Sequence, residues 1–315
     1  MERRRQKKTK RTQFVEYAAV YALIQVVQRL PFEALHAIGG LLGNVAYYLM
    51  MRRRRIALQN LRMAFSGSRD DRELRWLARR SCQSFVATIL EVIKFHFLPA
   101  DINAPHIQKY RPTDLESLFQ KAKGIHTTSG GCIFVTPHLG NWELLSYASG
   151  LVGIPLAVVV RPLDNAYLEK LLYANRTATG QMIIPKKNAF FVLGGVLRQG
   201  KSIGILPDQS QKKGIAVPFF GHRAMTTPVP ALLAIMYQRP IVVAACCRKS
   251  GEARFEGFVS DPIWPGDYTS EKAEIYRLTE EMNRRMESII RRHPEQYFWM
   301  HNRWKTYRTK KEFLA

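Results

Sequence analysis

The residues best suited to chemistry in this sequence lie in one short segment, Thr136-Pro-His-Leu-Gly-Asn-Trp-Glu143. His138 carries the side chain whose ordinary pKa lets it take up and return a proton near neutrality. Glu143 follows five residues later. A carboxylate beside an imidazole fixes its tautomer and stabilises the imidazolium. On one continuous helix that offset turns the two side chains roughly 140° apart, so they would not meet. They meet if a strand ends at His138 and a helix begins near Asn141. The apolar run Gly131-Cys-Ile-Phe-Val-Thr-Pro137 supplies the strand. Gly140 permits a tight turn and Asn141 is a good N-cap. Glu143 then falls in the first helical turn, where the helix dipole favours its ionised form. In that geometry Glu143 accepts the Nδ1–H of His138, and Nε2 is left as a general base. No serine nucleophile is needed if the acceptor brings its own hydroxyl. The bland alternative is that His138 caps a loop and Glu143 is an ordinary helix-N-terminal carboxylate. The spacing alone does not choose between them.

The elements that must hold this segment follow from hydrophobic patterning. Residues 14–100 read as helical. Within them Leu74, Trp76, Leu77, Phe85, Leu90 and Ile93 recur near a helical period until Pro99 ends the run. From about residue 112, short apolar runs alternate with helical stretches. The candidate strands are 132–136, 156–160, 182–184, 202–206, 241–247 and 254–259. Helical patterns fill 142–150, 165–178, 189–199, 228–238 and 271–292. Such alternation predicts an α/β core with a mostly parallel mixed sheet flanked by helices. The expected organisation is a basic tail over 1–12, a helical membrane-associating region over 13–100, and an α/β core over 101–315. The last two form one integrated domain.

Composition narrows the partners. The chain has 315 residues, 46% of them hydrophobic, which is enough for a large core. Its net charge of +23 points to nucleic acid, an anionic membrane surface or an acidic protein or substrate. Arginines and lysines crowd residues 1–11, the block Arg52 to Arg55, and the stretch from Arg291 to Lys311. The apolar segment from Phe14 to Leu30 is interrupted by Glu16, Gln25, Gln28 and Arg29 and is short for a signal peptide or a span of about 20 residues, while a second segment, Leu35 to Met51, is more apolar and ends in four arginines. Helices lying in a membrane interface are the better expectation, with a buried hairpin as the alternative. Gly39, Gly40 and Gly43 suit close helix packing. Cys82, Cys132, Cys246 and Cys247 show neither metal-ligand spacing nor a disulfide framework, which favours a reducing compartment. No metal site or nucleotide-binding glycine loop is legible.

The His-Leu-Gly-Asn-Trp-Glu block after a hydrophobic strand resembles the signature of the lipid A lauroyl and myristoyl acyltransferases, within the wider glycerolipid acyltransferase superfamily. Further blocks occur in the family's order: Arg161-Pro-Leu-Asp-Asn165, Arg176-x3-Gly180, Ile205-Leu-Pro-Asp-Gln209, Val217-Pro-Phe-Phe-Gly221 and Pro294-Glu-Gln-Tyr-Phe-Trp-Met-His-Asn-Arg-Trp-Lys305. The resemblance spans roughly residues 15–306. The basic extension at 1–11 and Asn302, where a basic residue is expected, depart from the pattern.

The resemblance implies transfer of an acyl group from an acyl carrier protein thioester, or acyl-CoA, to a hydroxyl of a lipid A precursor, with no cofactor. It places the reaction at the cytoplasmic face of the bacterial inner membrane. His138 and Glu143 would be catalytic. Arg161, Asn165, Arg176, Asp208 and Gln209 would bind substrate or support the oxyanion. Several of these carry alternatives. Arg176 is an oxyanion donor, a phosphate contact or a partner of Asp208. Arg161 is a phosphate contact or a surface charge, and Asp208-Gln209 is a site element or a turn. Met182, Phe190, Phe191, Met225 and Met236 are candidate liners of an acyl pocket. The aromatic-basic cluster from Tyr297 to Lys305 would pack on the sheet edge or meet lipid headgroups, with headgroups preferred because aromatic–basic mixtures mark membrane interfaces. Other glycolipid acceptors, such as phosphatidylinositol mannosides, form a second enzymatic reading. A basic nucleic-acid-binding protein is a third, but no helix-turn-helix, zinc or RNA-binding pattern supports it. A membrane-bound scaffold is a fourth.

Overall fold

The computed structural model describes residues 9–96, 113–160, 162–178, 180–186, 188–249 and 255–305. Its centre is a six-stranded sheet in the order β3-β2-β4-β1-β7-β8. The strands are β1 (Ile133–Val135), β2 (Leu156–Val160), β3 (Met182–Pro185), β4 (Ser202–Ile205), β7 (Ile241–Arg248) and β8 (Phe255–Val259). All neighbours run parallel except β7 and β8, so the sheet is mixed only at one edge. β1 lies between β4 and β7, with Ile133 level with Ile203 on one side and Ile241 on the other. Seven of the eight β7 residues are buried, as a strand covered on both faces requires.

The helices of the α/β core fall where the patterning places them: α6 (Trp142–Leu151), α7 (Ala166–Ala178), α8 (Ala189–Arg198), α9 (Val229–Tyr237) and, after the last strand, α10 (Glu271–Arg292). The patterning missed a hairpin made by β5 (Ile215–Phe219) and β6 (His222–Thr226). Its two-residue turn puts Phe220 at φ 52° and Gly221 at φ 73°. Two positive-φ residues suit the right-handed twist of a hairpin, but Asn or Asp usually takes the first of these positions. Phe220 therefore conceals the turn.

Before the sheet come α1 (Lys10–Arg29), α2 (Phe32–Leu49), α3 (Met51–Ala64), α4 (Asp71–His96) and α5 (Thr113–Ser129). α4 starts with a reciprocal cap: Asp70 Oδ1 accepts from the Glu73 N–H, and Glu73 accepts from the Asp70 N–H. Its inner face meets α2 across glycines. A Cβ on Gly39 would lie 3.0 Å from Ala87 Cα, and one on Gly43 only 2.4 Å from Gln83 Cα. Among the described residues no single helix is long and apolar enough to cross a membrane, and α2 and α3 meet at a 95° bend.

The four cysteines are buried free thiols. Burial pushes Cys82 up to about 11 and Cys132 to about 12, which suits packing more than reactivity. The aromatic cluster near the C-terminus departs from its expected place at lipid headgroups. Tyr297, Trp299 and Arg303 are buried. The Trp299 indole donates to Pro294 O, and Arg303 donates to Met225 O while lying over the Phe219 ring. The segment carries its own polar partners inward and closes the core against α3 and α4.

Candidate active site

β1 stops at Val135, and the Thr136 N–H bonds Ile205 O, keeping the chain beside β4 as it leaves the sheet. The next four residues are stapled on several sides. His138 O accepts from Phe298 N, the Gly140 N–H bonds Gln296 O, and the Asn141 N–H bonds Cys246 O. Gly140 has φ +58°, and a Cβ there would sit 2.1 Å from Cys246 O. Glycine is thus required both by conformation and by the closeness of β7. Asn141 caps α6 as its position suggested, its Oδ1 accepting from the Leu144 N–H at 3.0 Å.

The other end of the Asn141 amide donates to Glu91 at 2.9 Å. Glu91, fully buried on α4, is gripped by Arg248 through Nε at 2.6 Å and a terminal nitrogen at 2.7 Å. His36 Nε2 lies 2.7 Å from the same carboxylate. Thr88, one turn earlier, donates to Gly140 O. Burial alone would raise the Glu91 carboxyl, but Arg248 and His36 together hold it below the ordinary range. The turn after His138 is therefore hung on a buried ion pair. Neither Glu91 nor Arg248 was legible as part of a site. The one signal was the placement of Glu91 within the apolar stretch Val86 to Ile93 of the α4 pattern.

The imidazole of His138 departs from the expected pairing. Its Nδ1 lies 2.7 Å from Asp208 Oδ1, and its backbone N–H donates to Asp208 Oδ2 at 2.8 Å. Asp208, assigned to substrate binding on sequence grounds, is the carboxylate that orients the ring. Glu143 sits in the first turn of α6 and pulls on the imidazolium through its charge only. Burial opposes the charged form of His138, but the Asp208 charge and hydrogen bond, with Glu143 adding, raise its pKa. Burial likewise opposes the Asp208 carboxylate, and the charge and two hydrogen bonds of His138 overcome it and lower its pKa. With Nδ1–H given to Asp208, Nε2 is the unprotonated nitrogen and accepts from the Gln209 amide at 3.3 Å. The Trp142 ring lies 5.1 Å away, centre to centre.

A cavity of about 480 Å³, within the range of small-molecule pockets, reaches the chain on either side of this pair. Thr136, Trp142 and Glu143 line it from the His138 segment and Leu206 and Gln211 from the Asp208 segment, while Phe119, Phe134, Val158, Leu193 and Ile205 give it apolar walls. Of the candidate liners, Phe190 lines the cavity. Phe191 and Met236 are exposed, and Met182 packs against the main core. Met225 lies in β6, where its carbonyl accepts from Arg303.

Asn165 also departs from its expected role. Its carbonyl oxygen accepts from the Tyr167 and Leu168 N–H groups, and its amide donates to Gln13 O and Glu16. That spends a buried side chain on capping α7 and tying down α1. Arg161 lies outside the described residues. Arg176 belongs to α7, and its side chain is outside what is described. His301, read from the sequence as part of the C-terminal cluster, belongs to the site instead: its Nε2 accepts from the Ser210 N–H at 3.1 Å. It stands next to the Asp208-Gln209 step, and burial lowers its pKa.

The fold is a mostly parallel α/β sheet that holds an imidazole–carboxylate pair past its central strands, where the ligand sites of such sheets lie. The chain matches the model of the bacterial lipid A biosynthesis acyltransferases over residues 4–306, and it belongs to that family. It is an acyltransferase of lipid A biosynthesis. It is similar to a lipid A biosynthesis palmitoleoyltransferase of Escherichia coli (strain K12), 27% identical over 283 residues that cover 88% of this chain and 87% of the relative. The lipid A biosynthesis lauroyltransferase of the same strain is 23% identical over 287 residues, covering 90% and 89%. A lipid A biosynthesis acyltransferase of Haemophilus influenzae is 25% identical over 288 residues, covering 88% and 86%.

Proposed function

We propose that the protein moves a fatty acyl chain from a thioester, carried by acyl carrier protein or CoA, to the hydroxyl of a 3-hydroxyacyl chain on a lipid A precursor. The observation that carries this reading is the bidentate hold of Asp208 on His138, which leaves Nε2 unprotonated one ring away from an apolar cavity that Trp142 and Glu143 line. His138 Nε2 takes the proton of the acceptor hydroxyl as its oxygen attacks the thioester carbonyl. The C–O bond forms, the C–S bond breaks, and the imidazolium returns the proton to the departing thiolate. Asp208 and the more distant Glu143 stabilise the imidazolium between these steps. A positioned base of this kind contributes about 10²–10⁴-fold in rate. The thioester already carries the activation, so neither a cofactor nor an acyl-enzyme is invoked.

The backbone N–H groups opening α6, together with Gln209, supply donors to the oxyanion, and Arg161 and Arg176 hold substrate phosphates. The cavity takes the acyl chain. The net charge of +23 favours encounter with an acidic carrier protein, a phosphorylated acceptor and the anionic cytoplasmic face of the inner membrane. The test is mass spectrometry of a tetra-acylated lipid A precursor incubated with acyl carrier protein thioesters of several lengths. A gain of one acyl chain, lost in His138→Ala, is the expected result. No gain from folded protein with any donor would reject the assignment.

A further inference from the structure

α2 presents two different faces. Gly39 and Gly43 press it onto the α4 backbone, and Asn44 is held by Gln83 at 2.7 Å. That contact fixes the rotation of the helix, so residues about half a turn away must face outward. They are Leu41, Val45 and Tyr48, followed at the helix end by Leu49, Met50 and Met51, and all six are exposed. Leu41 is 65% exposed, Leu49 76% and Met51 57%. The chain then bends by 95° into α3, which opens with Arg52 to Arg55. Arg52, Arg53 and Arg55 are exposed, while Arg54 lies over the Tyr47 ring.

An apolar elbow bordered by arginines has one chemically matched partner, a bilayer containing anionic lipid. Its apolar side chains enter the acyl layer while the guanidinium groups stay with the headgroup phosphates. We infer that the elbow at Leu49–Met51 is a wedge inserted into one leaflet of an anionic membrane, with Arg52, Arg53 and Arg55 at the phosphate level. The bend turns α3 away from the axis of α2, so the two do not form one straight helix. The wedge also sets the position of the catalytic site. Arg53 donates to Met300 O, and the next residue, His301, accepts from Ser210 N beside Gln209. A short chain of contacts thus connects the headgroup layer to His138, so an amphipathic acceptor can be engaged while its acyl chains remain in the leaflet. The inference rests on the proposed reaction only for this last point.

The test is flotation of the full-length protein with phosphatidylcholine vesicles, with and without phosphatidylglycerol. The wild type and His138→Ala should both float with anionic vesicles and less with neutral ones. Each cationic side chain near such a surface changes partitioning about five-fold, so removing three (R52Q, R53Q and R55Q together) should weaken it on the order of 100-fold. Leu49→Glu should also release the protein, its fold checked by circular dichroism melting. Tryptophan introduced as Met50→Trp should be quenched best by bromine placed near the headgroup end of the lipid chains. Quenching greatest at the bilayer centre would overturn the wedge in favour of a span. Flotation unaffected by Leu49→Glu would overturn it outright. Failure to float, with self-association abolished by Leu49→Glu, would make the patch a contact between two copies. Protein that floats as predicted yet transfers no acyl group would sink the catalytic reading and leave the wedge standing.

Discussion

Replacing Asp208 by Asn separates the carboxylate that touches His138 from the one that the motif spacing suggests. In the wild type, Asp208 accepts two hydrogen bonds from a single residue, from Nδ1–H at 2.7 Å and from the backbone N–H at 2.8 Å. Asparagine has one acceptor oxygen and one amide that only donates. It can satisfy the ring or the backbone, never both. If its amide faces the ring, Nδ1 must become the acceptor and the proton moves to Nε2, which disables the base. If its oxygen faces the ring, the buried His138 N–H opposes an NH₂ group and the strand end is pushed out of place. Either way the imidazolium loses its adjacent charge. In a serine protease triad the same kind of change lowers kcat by about 10⁴, and the whole contribution of a general base is about 10²–10⁴. We expect kcat of Asp208→Asn to fall by about 10³–10⁴ with KM changed little. Glu143→Gln, which leaves both hydrogen bonds between Asp208 and His138 in place, should lose on the order of tenfold.

The pH profile makes the comparison sharper. A general base works deprotonated, so kcat/KM rises with pH through the His138 pKa, which lies above the ordinary value of about 6.5. Removing the Asp208 charge should move that limb to lower pH, even as the plateau collapses. Single-turnover measurements on vesicle-presented acceptor give both quantities. A loss in Glu143→Gln equal to or greater than that in Asp208→Asn would refute the reasoning. It would show that the ring is handed from Asp208 to Glu143 when substrate binds.

Three further outcomes follow from the same contacts. His138 gains stability from a raised folded-state pKa, so the pair's contribution is complete below about pH 6.5 and fades as pH rises through the raised value. Thermal melts of wild type should therefore lose stability across that interval relative to Asp208→Asn, and parallel curves would contradict the pairing. Glu91→Gln should destabilise by about 3–5 kcal/mol, because it leaves the Arg248 guanidinium buried without its counter-charge. Glu91→Gln with Arg248→Met should recover part of that loss in denaturant titrations, and strict additivity would show the two side chains act independently. Val158→Phe fills the cavity wall from β2, so the preferred donor should shift to shorter acyl chains in competition assays. An unchanged preference would place the acyl chain elsewhere.

The local elements were legible because their signals are local. The apolar runs, the glycine at 140 and the cap at Asn141 each state a backbone preference that no distant residue overrides. The glycines of α2 announced close packing and the structure places α4 against them. What stayed hidden depends on distant partners. Asn165 reads as a polar residue in a motif until α1 arrives to use both ends of its amide. Trp299 and Arg303 read as a surface cluster because nothing in their own segment shows that Pro294 and Met225 offer carbonyls to bury them.

The pairing of His138 was hidden for a related reason, and the sheet order supplies what was missing. β1 and β4 are adjacent and parallel, with Val135 level with Ile205. His138 and Asp208 each lie three residues past those positions, so the two chains deliver them to the same height above the sheet. Side by side past neighbouring parallel strands is where groups from separate loops converge. Glu143, by contrast, is carried away from β4 as soon as α6 begins. The turn that creates the His-x4-Glu spacing leaves Glu143 in the first turn of α6, from which its charge acts on the imidazole. The spacing thus reflects how the chain leaves β1 for α6, while the hydrogen bond to the imidazole comes from the next strand. Alternation alone could not name β4 as that strand, because the first strand could have paired with β2.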